Sequence, residues 1–351
     1  MEDTAQLGIK PATQNPRVIN YMDEIIAFVS TLVDKGFAYV SEGDVYFRVA
    51  KSNNYAKLAN KTLEDLEIGA SGRTDAETER KENPLDFALW KAAKEGEVSW
   101  DSPWGPGRPG WHIECSVMAT EILGDTIDIH GGGADLEFPH HTNEIAQSEA
   151  KTGKTFANYW MHNGFVNVDN EKMSKSLGNF VTVHDMLQTV DGQVLRFFLA
   201  TQQYRKPINF TEKAIHDAEV NLKYLKNTHS LPLTEQVNQA ELQTYLDAFQ
   251  EAMDDDFNTA NGVTVLFDMA KWINSGNYDQ TVKDAFEKML QVFGIVFEEE
   301  VLDEDIEKLI EERQAARANK DFATADRIRD ELAAQGIKLL DTKEGVRWTR
   351  D

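Results

Sequence analysis

The spacing of apolar residues changes along this chain near residue 210, and this change limits the folds that the chain can adopt. Before residue 210, short apolar runs typical of strands, such as Ile127-Asp-Ile-His and Phe165-Val-Asn-Val, alternate with helical stretches and with turns rich in glycine and proline. From residue 211 to about residue 299, apolar residues recur at intervals of three and four. We therefore expect an α/β domain followed by a helix bundle, and 351 residues are enough for both.

Local spacing and turn residues predict the individual elements. Pro139 occupies a favoured first position of a helix, so the helix that contains His140 is expected to begin there. A short strand is expected to run into the glycines Gly131 to Gly133. The other expectations are a helix over 20–35 that ends at Gly36, a hairpin over 37–49, an irregular turn-rich stretch over 100–110, one helix over 305–335 and a small hairpin over 337–349.

Composition excludes several classes of protein. The net charge of −24 argues against a protein that coats nucleic acid through phosphate contacts alone. A single cysteine excludes an internal disulfide framework. No run of 18 apolar residues and no secretory signal occurs in the sequence, so we expect a cytoplasmic protein without a membrane partner.

The first candidate site combines Cys115 with two residues of a predicted helix. His140 and Glu144 are four residues apart, so their side chains emerge on one face of that helix. Cysteine, histidine and carboxylate side chains are all normal zinc ligands, and three of them leave room for a further ligand or a substrate. A surface ion pair beside a buried cysteine is the alternative interpretation of the same residues.

The second candidate site is the glycine run after the strand at 127–130. Three glycines allow the flat face of a ligand to approach the backbone closely, and Asp135 could accept hydrogen bonds from ribose hydroxyls. The alternative is a tight strand-to-helix turn without a ligand.

The third candidate site is the loop Glu171-Lys-Met-Ser-Lys-Ser-Leu-Gly-Asn. Lys172 and Lys175 are mobile point charges that could meet the negative charge that develops on a departing pyrophosphate. A solvated surface loop is the alternative here.

Taken in order, these segments resemble the cysteinyl-tRNA synthetases, a family of class I aminoacyl-tRNA synthetases. The resemblance extends over essentially the whole chain. The segments that carry it are Gly110-Trp-His-Ile-Glu-Cys115, His130-Gly-Gly-Gly-Ala-Asp135, Phe138-Pro-His-His141, Asn143-Glu144, Lys172-Met-Ser-Lys-Ser176, Leu195-Arg-Phe-Phe, Tyr204-Arg205, Met253-Asp-Asp-Asp-Phe-Asn-Thr259 and Phe322 to Gly336.

The resemblance implies a truncated class I Rossmann-type α/β catalytic domain, followed by a helix bundle and a small C-terminal α+β module. The implied boundaries are 1–95 for the entry segment and an insertion in the catalytic domain, 96–165 for the second half of the Rossmann-type domain, 166–210 for the lysine-loop segment that contacts the tRNA stem, 211–300 for the tRNA-binding bundle and 301–351 for the anticodon-side module.

The resemblance also implies roles for individual residues. One Zn²⁺ per chain is implied on Cys115, His140 and Glu144, where it binds the thiolate of substrate L-cysteine, and Trp111, Cys115 and His140 would line the cysteine pocket. His112 and His130 would surround the zinc ligands. The implied ATP contacts, with Mg²⁺, are His130, Gly131, Gly132, Gly133, Asp135 and Lys175, and the implied catalytic lysines are Lys172 and Lys175.

The implied macromolecular partner is tRNA(Cys), bound by a monomeric chain. Candidate tRNA contacts in the last fifty residues are Arg327, Arg329, Arg347 and Trp348. The indole of Trp348 could stack on an unpaired base or fill a small core in the hairpin, and both interpretations stay open.

Two departures from the family pattern bear on activity. Gln193-Val-Leu-Arg replaces the common Asp-Ala-Leu-Arg, which is a mild change. More seriously, the family's first zinc cysteine and its His-x-Gly-His motif do not occur in these 351 residues. We therefore expect a truncated form with negligible cysteine-dependent ATP–pyrophosphate exchange.

Two alternative functions remain for a chain with this pattern. One is a cysteine ligase of the same superfamily that acts on an amino sugar, which would share the zinc and lysine motifs. The segment at 315–330 and the closing hairpin with Trp348 favour the tRNA enzyme instead. The other is a non-catalytic fragment that binds tRNA or zinc.

Overall fold

The computed structural model describes residues 2–62, 78–174, 176–235, 237–297, 304–342 and 345–350. The chain divides into two compact units, Met1–Ile295 and Val296–Asp351. The helices of the first unit are α1 (Glu2–Gln6), α2 (Met22–Asp34), α3 (Trp111–Leu123), α4 (Thr142–Thr152), α5 (Val183–Met186), α6 (Gly192–Ala200), α7 (Glu212–His229), α8 (Gln239–Asp254), α9 (Thr259–Asn274) and α10 (Gln280–Val292).

An antiparallel sheet forms the scaffold before the candidate site. Its strands pair in the order β1 (Ala38–Ser41), β2 (Asp44–Phe47), β3 (Phe87–Ala92) and β4 (Gly107–Pro109). The predicted hairpin and the predicted helix before it are therefore present. The stretch 100–110 is less irregular than expected, because β4 lies within it and pairs with β3. The close approach of Trp90 to the backbone at Gly107 leaves no space for a Cβ atom there, which explains that glycine.

A parallel pair of strands carries the glycine run. Strand β5 (Ile127–Gly133) pairs with β6 (Ala157–Asn163), and helix α4 lies between them in the chain. The three glycines belong to β5 and pair with Met161, His162 and Asn163, so the strand extends further than the expected Ile127-Asp-Ile-His segment.

A three-stranded sheet holds the segment before the lysine loop. Strands β7 (Val166–Val168) and β8 (Glu171–Lys172) form a hairpin, and β9 (Ile208–Phe210) pairs with β7 in parallel. The two turn residues, Asp169 and Asn170, have φ angles of 49° and 67°. This left-handed backbone is the conformation that two-residue hairpin turns require, and asparagine and aspartate tolerate it well.

One hydrophobic core supports α3 and α4. Ile113 and Val117 of α3 and Ala146 of α4 are buried with Phe28 of α2 and Leu89 of β3. Because both helices are anchored to the same core, the side chains between them are held at fixed distances.

The second unit contains two helices and a hairpin in its described residues. Helix α11 (Glu304–Ala318) and helix α12 (Phe322–Ala334) replace the single helix expected over 305–335. The break occurs because Lys320 has a φ angle of 62° and the Asp321 side chain accepts a hydrogen bond from the Thr324 N–H, which begins a new helix. The predicted hairpin is present as β10 (Ile337–Thr342) and β11 (Gly345–Arg350).

Candidate active site

Three potential metal ligands converge between α3 and α4. Cys115 lies in α3, Glu144 lies in α4, and His140 lies in the turn Glu137–His141 that leads into α4. Helix α4 itself begins at Thr142, but the helical backbone begins at Pro139 as expected, because Phe138 is extended and Pro139 to His141 form a wider helical turn that leads directly into α4. The ligand atoms of Cys115, His140 and Glu144 all lie within 4.8 Å of one another.

Glu144 is the central group of this cluster, and its side chain is fully buried. Its Oε2 accepts a hydrogen bond from His130 Nε2 at 3.0 Å, whereas its Oε1 lies 3.0 Å from His140 Nε2 without hydrogen-bond geometry. Burial alone would raise the pKa of the Glu144 carboxyl, but the imidazoles of His130 and His140 hold that pKa below its usual range. The Glu144 carboxylate oxygen is buried without a hydrogen bond, next to the His140 imidazole nitrogen and the Cys115 thiol. Together these three atoms are a set of ligands that fits a zinc ion.

Cys115 is a half-buried free thiol in this cluster. Burial, together with the nearby carboxylates of Glu144 and Glu114, raises the pKa of the Cys115 thiol to about 12. Without a cation the side chain is therefore a neutral thiol at physiological pH. A metal ion would be needed to stabilise its thiolate.

Further histidines surround the three ligands. His112 Nδ1 lies 2.9 Å from His140 Nδ1, and burial lowers the pKa of His112 to about 4. His141 was not singled out from the sequence, yet it is buried and its Nδ1 lies 2.7 Å from His162 Nε2. Burial also lowers the pKa of His141 to about 4.

His130, His141 and Glu144 form a second group whose ligand atoms lie within 4.8 Å of one another. Glu144 thus belongs to both groups. The position of His141, three residues before Glu144, was the available sequence signal for it.

Trp111 stands at the open side of the cluster. It is 58% exposed, and its ring centroid lies 4.4 Å from that of His140. A large aromatic surface is therefore available to a ligand that approaches His140 from solvent.

The glycines of β5 differ in the space around them. Gly131 is exposed, and a Cβ atom there would meet nothing closer than 3.5 Å. A Cβ atom at Gly132 would instead lie 2.8 Å from His141 Cε1. Asp135 follows in the turn Ala134–Leu136 and is exposed. The backbone at Gly131 is consequently the most accessible part of the run.

The lysine loop is described only in part. Lys172 is exposed at the end of β8, and its Nζ lies 4.5 Å from the centroid of the Phe165 ring. Lys175, the second predicted lysine, lies outside the described residues. Asn179 joins the two ends of the loop, because its side chain accepts a hydrogen bond from the Ser174 N–H and donates one to the Lys172 carbonyl.

The candidate tRNA contacts belong to the second unit. Arg327 and Arg329 are exposed on α12 and form ion pairs with Glu331 and Asp326. Trp348 packs against the small core of this unit, formed by Ile306, Ile310, Ile328, Leu332 and Ile337. The side chain of Arg347 lies outside the described part of the structure. Within the part of the chain that the structure describes, no helix is long and apolar enough to cross a membrane.

Three family models match consecutive parts of the chain. Residues 1–220 match the class I (C) tRNA synthetase catalytic domain, residues 248–298 match the DALR domain, and residues 299–348 match the cysteinyl-tRNA ligase anticodon binding domain. The fold is also similar to that of methionyl-tRNA synthetase from Mycobacterium tuberculosis, solved with methionyl-adenylate, with a TM-score of 0.56 and 14% identity over 83% of this chain and 74% of that one. The expected α/β class with C-terminal helical domains is thereby confirmed, and the fold is that of a class I aminoacyl-tRNA synthetase.

Curated relatives specify the family further. Cysteine–tRNA ligase of Streptococcus thermophilus is 96% identical over all 351 residues, and that of Streptococcus agalactiae is 82% identical over the same length. The chain spans 78% of the length of each relative. The chain belongs to the cysteine–tRNA ligase family, which confirms the resemblance stated above.

Proposed function

We propose that the residues described above serve the ATP-dependent activation of L-cysteine to cysteinyl-adenylate and its transfer to tRNA(Cys). The observation that carries this proposal is the convergence of Cys115, His140 and Glu144, with their ligand atoms within 4.8 Å of one another. A site for an ordinary polar amino acid would not need a thiol and a buried carboxylate oxygen that lacks a hydrogen bond. A site that binds a thiolate through a metal ion does need such donors.

Cys115, His140 and Glu144 would hold one Zn²⁺ in this proposal. The bound ion would supply a Lewis acid that prefers the thiolate of cysteine to the hydroxyl of serine. His130 donates its hydrogen bond to Glu144 Oε2, which orients the carboxylate so that Oε1 faces His140. Trp111 would form one wall of the cysteine pocket, because its exposed ring lies against His140.

The backbone of Gly131 to Gly133 would receive the adenosine part of ATP, with Asp135 accepting hydrogen bonds from ribose. This assignment is supported by the exposure of Gly131 in β5 and of Asp135 in the turn that follows β5. His130, on the same strand, connects this platform to the cysteine pocket through its hydrogen bond to Glu144.

Lys172 and Lys175 would stabilise the charge on the ATP phosphates, together with Mg²⁺. Lys172 is exposed, so its ammonium group can reach a ligand in solvent. Movable ammonium groups stabilise a developing pyrophosphate without a proton transfer.

The tRNA would bind to the helix bundle and to the second unit. The match of residues 299–348 to an anticodon binding domain favours tRNA over an amino sugar as the acceptor of cysteine. Arg327, Arg329, Arg347 and Trp348 remain the candidate contacts, and a monomeric, cytoplasmic protein remains the prediction for the assembled state.

Ligand binding tests the cysteine site without relying on turnover. The zinc-loaded chain should bind L-cysteine and not L-serine in isothermal titration calorimetry. Glu144→Gln should abolish cysteine binding and reduce zinc content. Glu114→Gln is the matched control, because Glu114 is a half-buried carboxylate of α3 that does not belong to the ligand group. Equal zinc content and equal cysteine affinity in the two variants would refute the assignment.

The deletion of residues 303–351 tests the tRNA assignment. It should weaken the binding of tRNA(Cys) more than it lowers the stability of the remaining unit. Unchanged affinity for tRNA(Cys) after the deletion would remove the second unit from the tRNA site.

A further inference from the structure

A turn between two helices of the bundle has an unusual backbone. Between α8 and α9, Asp256 and Phe257 both have a φ angle of 52°, which lies in the left-handed region. A phenylalanine rarely adopts this conformation, and such residues persist where surrounding contacts enforce them. Phe257 itself is 52% exposed, so burial of its ring does not explain the turn.

Two backbone hydrogen bonds to helix α8, from the Phe257 N–H to the Met253 carbonyl and from the Asn258 N–H to the Ala252 carbonyl, close the turn, and side chains from outside the bundle hold it in place. The Tyr204 hydroxyl donates a hydrogen bond to Asp256 Oδ1 at 2.7 Å, and Arg205 Nε donates one to Asp256 Oδ2 at 2.5 Å. Arg205 Nη2 also approaches Oδ1 at 3.2 Å, so the guanidinium is bidentate. Arg205 and Tyr204 hold the pKa of the Asp256 carboxyl below its usual range. A further hydrogen bond joins the Thr259 hydroxyl to the Gln202 carbonyl at 2.8 Å.

The segment that holds Asp256 is also attached to the sheet of the lysine loop. The Gly164 N–H donates a hydrogen bond to the Tyr204 carbonyl at 2.7 Å, and a Cβ atom at Gly164 would collide with the backbone at Lys206. Gly164 lies just before β7, which pairs with β8 and β9. Strand β8 ends at Lys172. Hydrogen bonds and the short backbone segment from Gly164 to β7 therefore connect Asp256 to the strand that carries Lys172.

We propose that Asp256, Tyr204 and Arg205 form a clamp in which Asp256 is a positioning residue for the sheet that carries Lys172. The clamp couples the helix bundle to the lysine loop, so that a ligand on one alters the placement of the other. The functional part of this inference rests on the proposed role of Lys172 at the ATP phosphates. The structural part, that Asp256 restrains the sheet, stands on the contacts alone.

Hydrogen exchange in the full 351-residue chain tests the structural part. Asp256→Asn retains a residue that tolerates the left-handed backbone, but it removes the charge and places an amide N–H against the guanidinium. The amides of Gly164 and Ile208 should exchange about three- to fivefold faster, the range expected for a partly exposed ion pair. The matched control is Asp255→Asn, in the neighbouring exposed aspartate, which should leave these rates unchanged.

Equal rates in Asp256→Asn and Asp255→Asn would overturn the clamp. If Asp256→Asn fails to fold, Arg205→Gln removes the same ion pair from the other side and should give the same increase.

A double-mutant cycle tests the functional part with MgATP as the titrated ligand. Asp256→Asn should weaken MgATP binding about three- to fivefold, and it should have no further effect in a Lys172→Ala background. Equal weakening in both backgrounds would show that Asp256 does not act through Lys172 and would overturn the positioning role. If Lys172→Ala leaves MgATP affinity unchanged, the proposed role of Lys172 fails, and the exchange rates alone then decide whether the clamp exists.

Discussion

Zinc binding to this chain should release one proton from Cys115, so the zinc affinity should rise with pH. Burial and the carboxylates of Glu144 and Glu114 raise the pKa of the thiol to about 12. Below that pH the free side chain is protonated, whereas zinc binds a thiolate, so binding must displace the proton. Each pH unit then changes the affinity about tenfold, and a rise from pH 6.5 to pH 8.0 should strengthen zinc binding about 30-fold through Cys115 alone.

Calorimetry counts this proton directly. Zn²⁺ is titrated into the metal-free chain at pH 7.5 in two buffers with different heats of protonation, and the difference in heat gives the number of protons released. The same measurement on Cys115→Ala should give about one proton fewer, because the other ligands titrate alike in both proteins.

The control for this experiment is Glu114→Gln. It removes a carboxylate that lies outside the ligand group. The proton count should be unchanged, because the Cys115 thiol of the metal-free chain is still protonated at pH 7.5 without that carboxylate. An equal proton count in the wild-type chain and in Cys115→Ala would refute the assignment of Cys115 as a ligand.

Three further predictions concern individual residues. Glu144→Gln should weaken zinc binding at least about 100-fold, measured by competition with a chelator, whereas an unchanged affinity would exclude Glu144 as a ligand. Gly131→Ala should leave the unfolding temperature unchanged but weaken ATP binding, because its Cβ has space in the fold and would face the ligand. Gly132→Ala should instead lower the unfolding temperature, because its Cβ would lie against His141. Equal ATP affinity in Gly131→Ala and in the wild-type chain would argue against the glycine run as the adenosine site. Trp348→Ala should destabilise the second unit by about 2 kcal/mol in chemical denaturation, since its ring is half-buried against the core; no loss of stability would favour a role restricted to base stacking.

The local elements of this fold could be predicted where a periodic pattern coincided with a strong end signal. Helix α2 follows its apolar spacing and ends before Gly36, which has a φ angle of 74°. The single helix expected over 305–335 was wrong because the apolar spacing continues across the break. The backbone turns at Lys320, a residue type without a turn preference, and helix α12 then begins at Phe322 with Asp321 as its N-cap.

Contacts between distant segments could not be predicted in this way. The clamp joins Tyr204 and Arg205 to Asp256, and these residues are separated by some fifty positions that contain two helices. Nothing in local periodicity specifies such a pair, because periodicity reports which side of an element is apolar and not which element it meets. The same limit applies to His141, whose partner His162 lies on a different strand.

The sequence by itself determined which metal-binding side chains are present and to which family the protein belongs. The spacing of His140 and Glu144 predicted that two of these side chains share one face of a helix. The motifs around them are specific enough to identify the family. The tertiary structure decided their environment. Cys115 and Glu144 lie on different helices, and only the common core beneath α3 and α4 brings them together. That packing removes water from the Cys115 thiol, which raises its pKa. It also holds the imidazoles of His130 and His140 against the buried Glu144 carboxylate, which lowers the pKa of Glu144 against the effect of burial and leaves a buried oxygen for a metal ion.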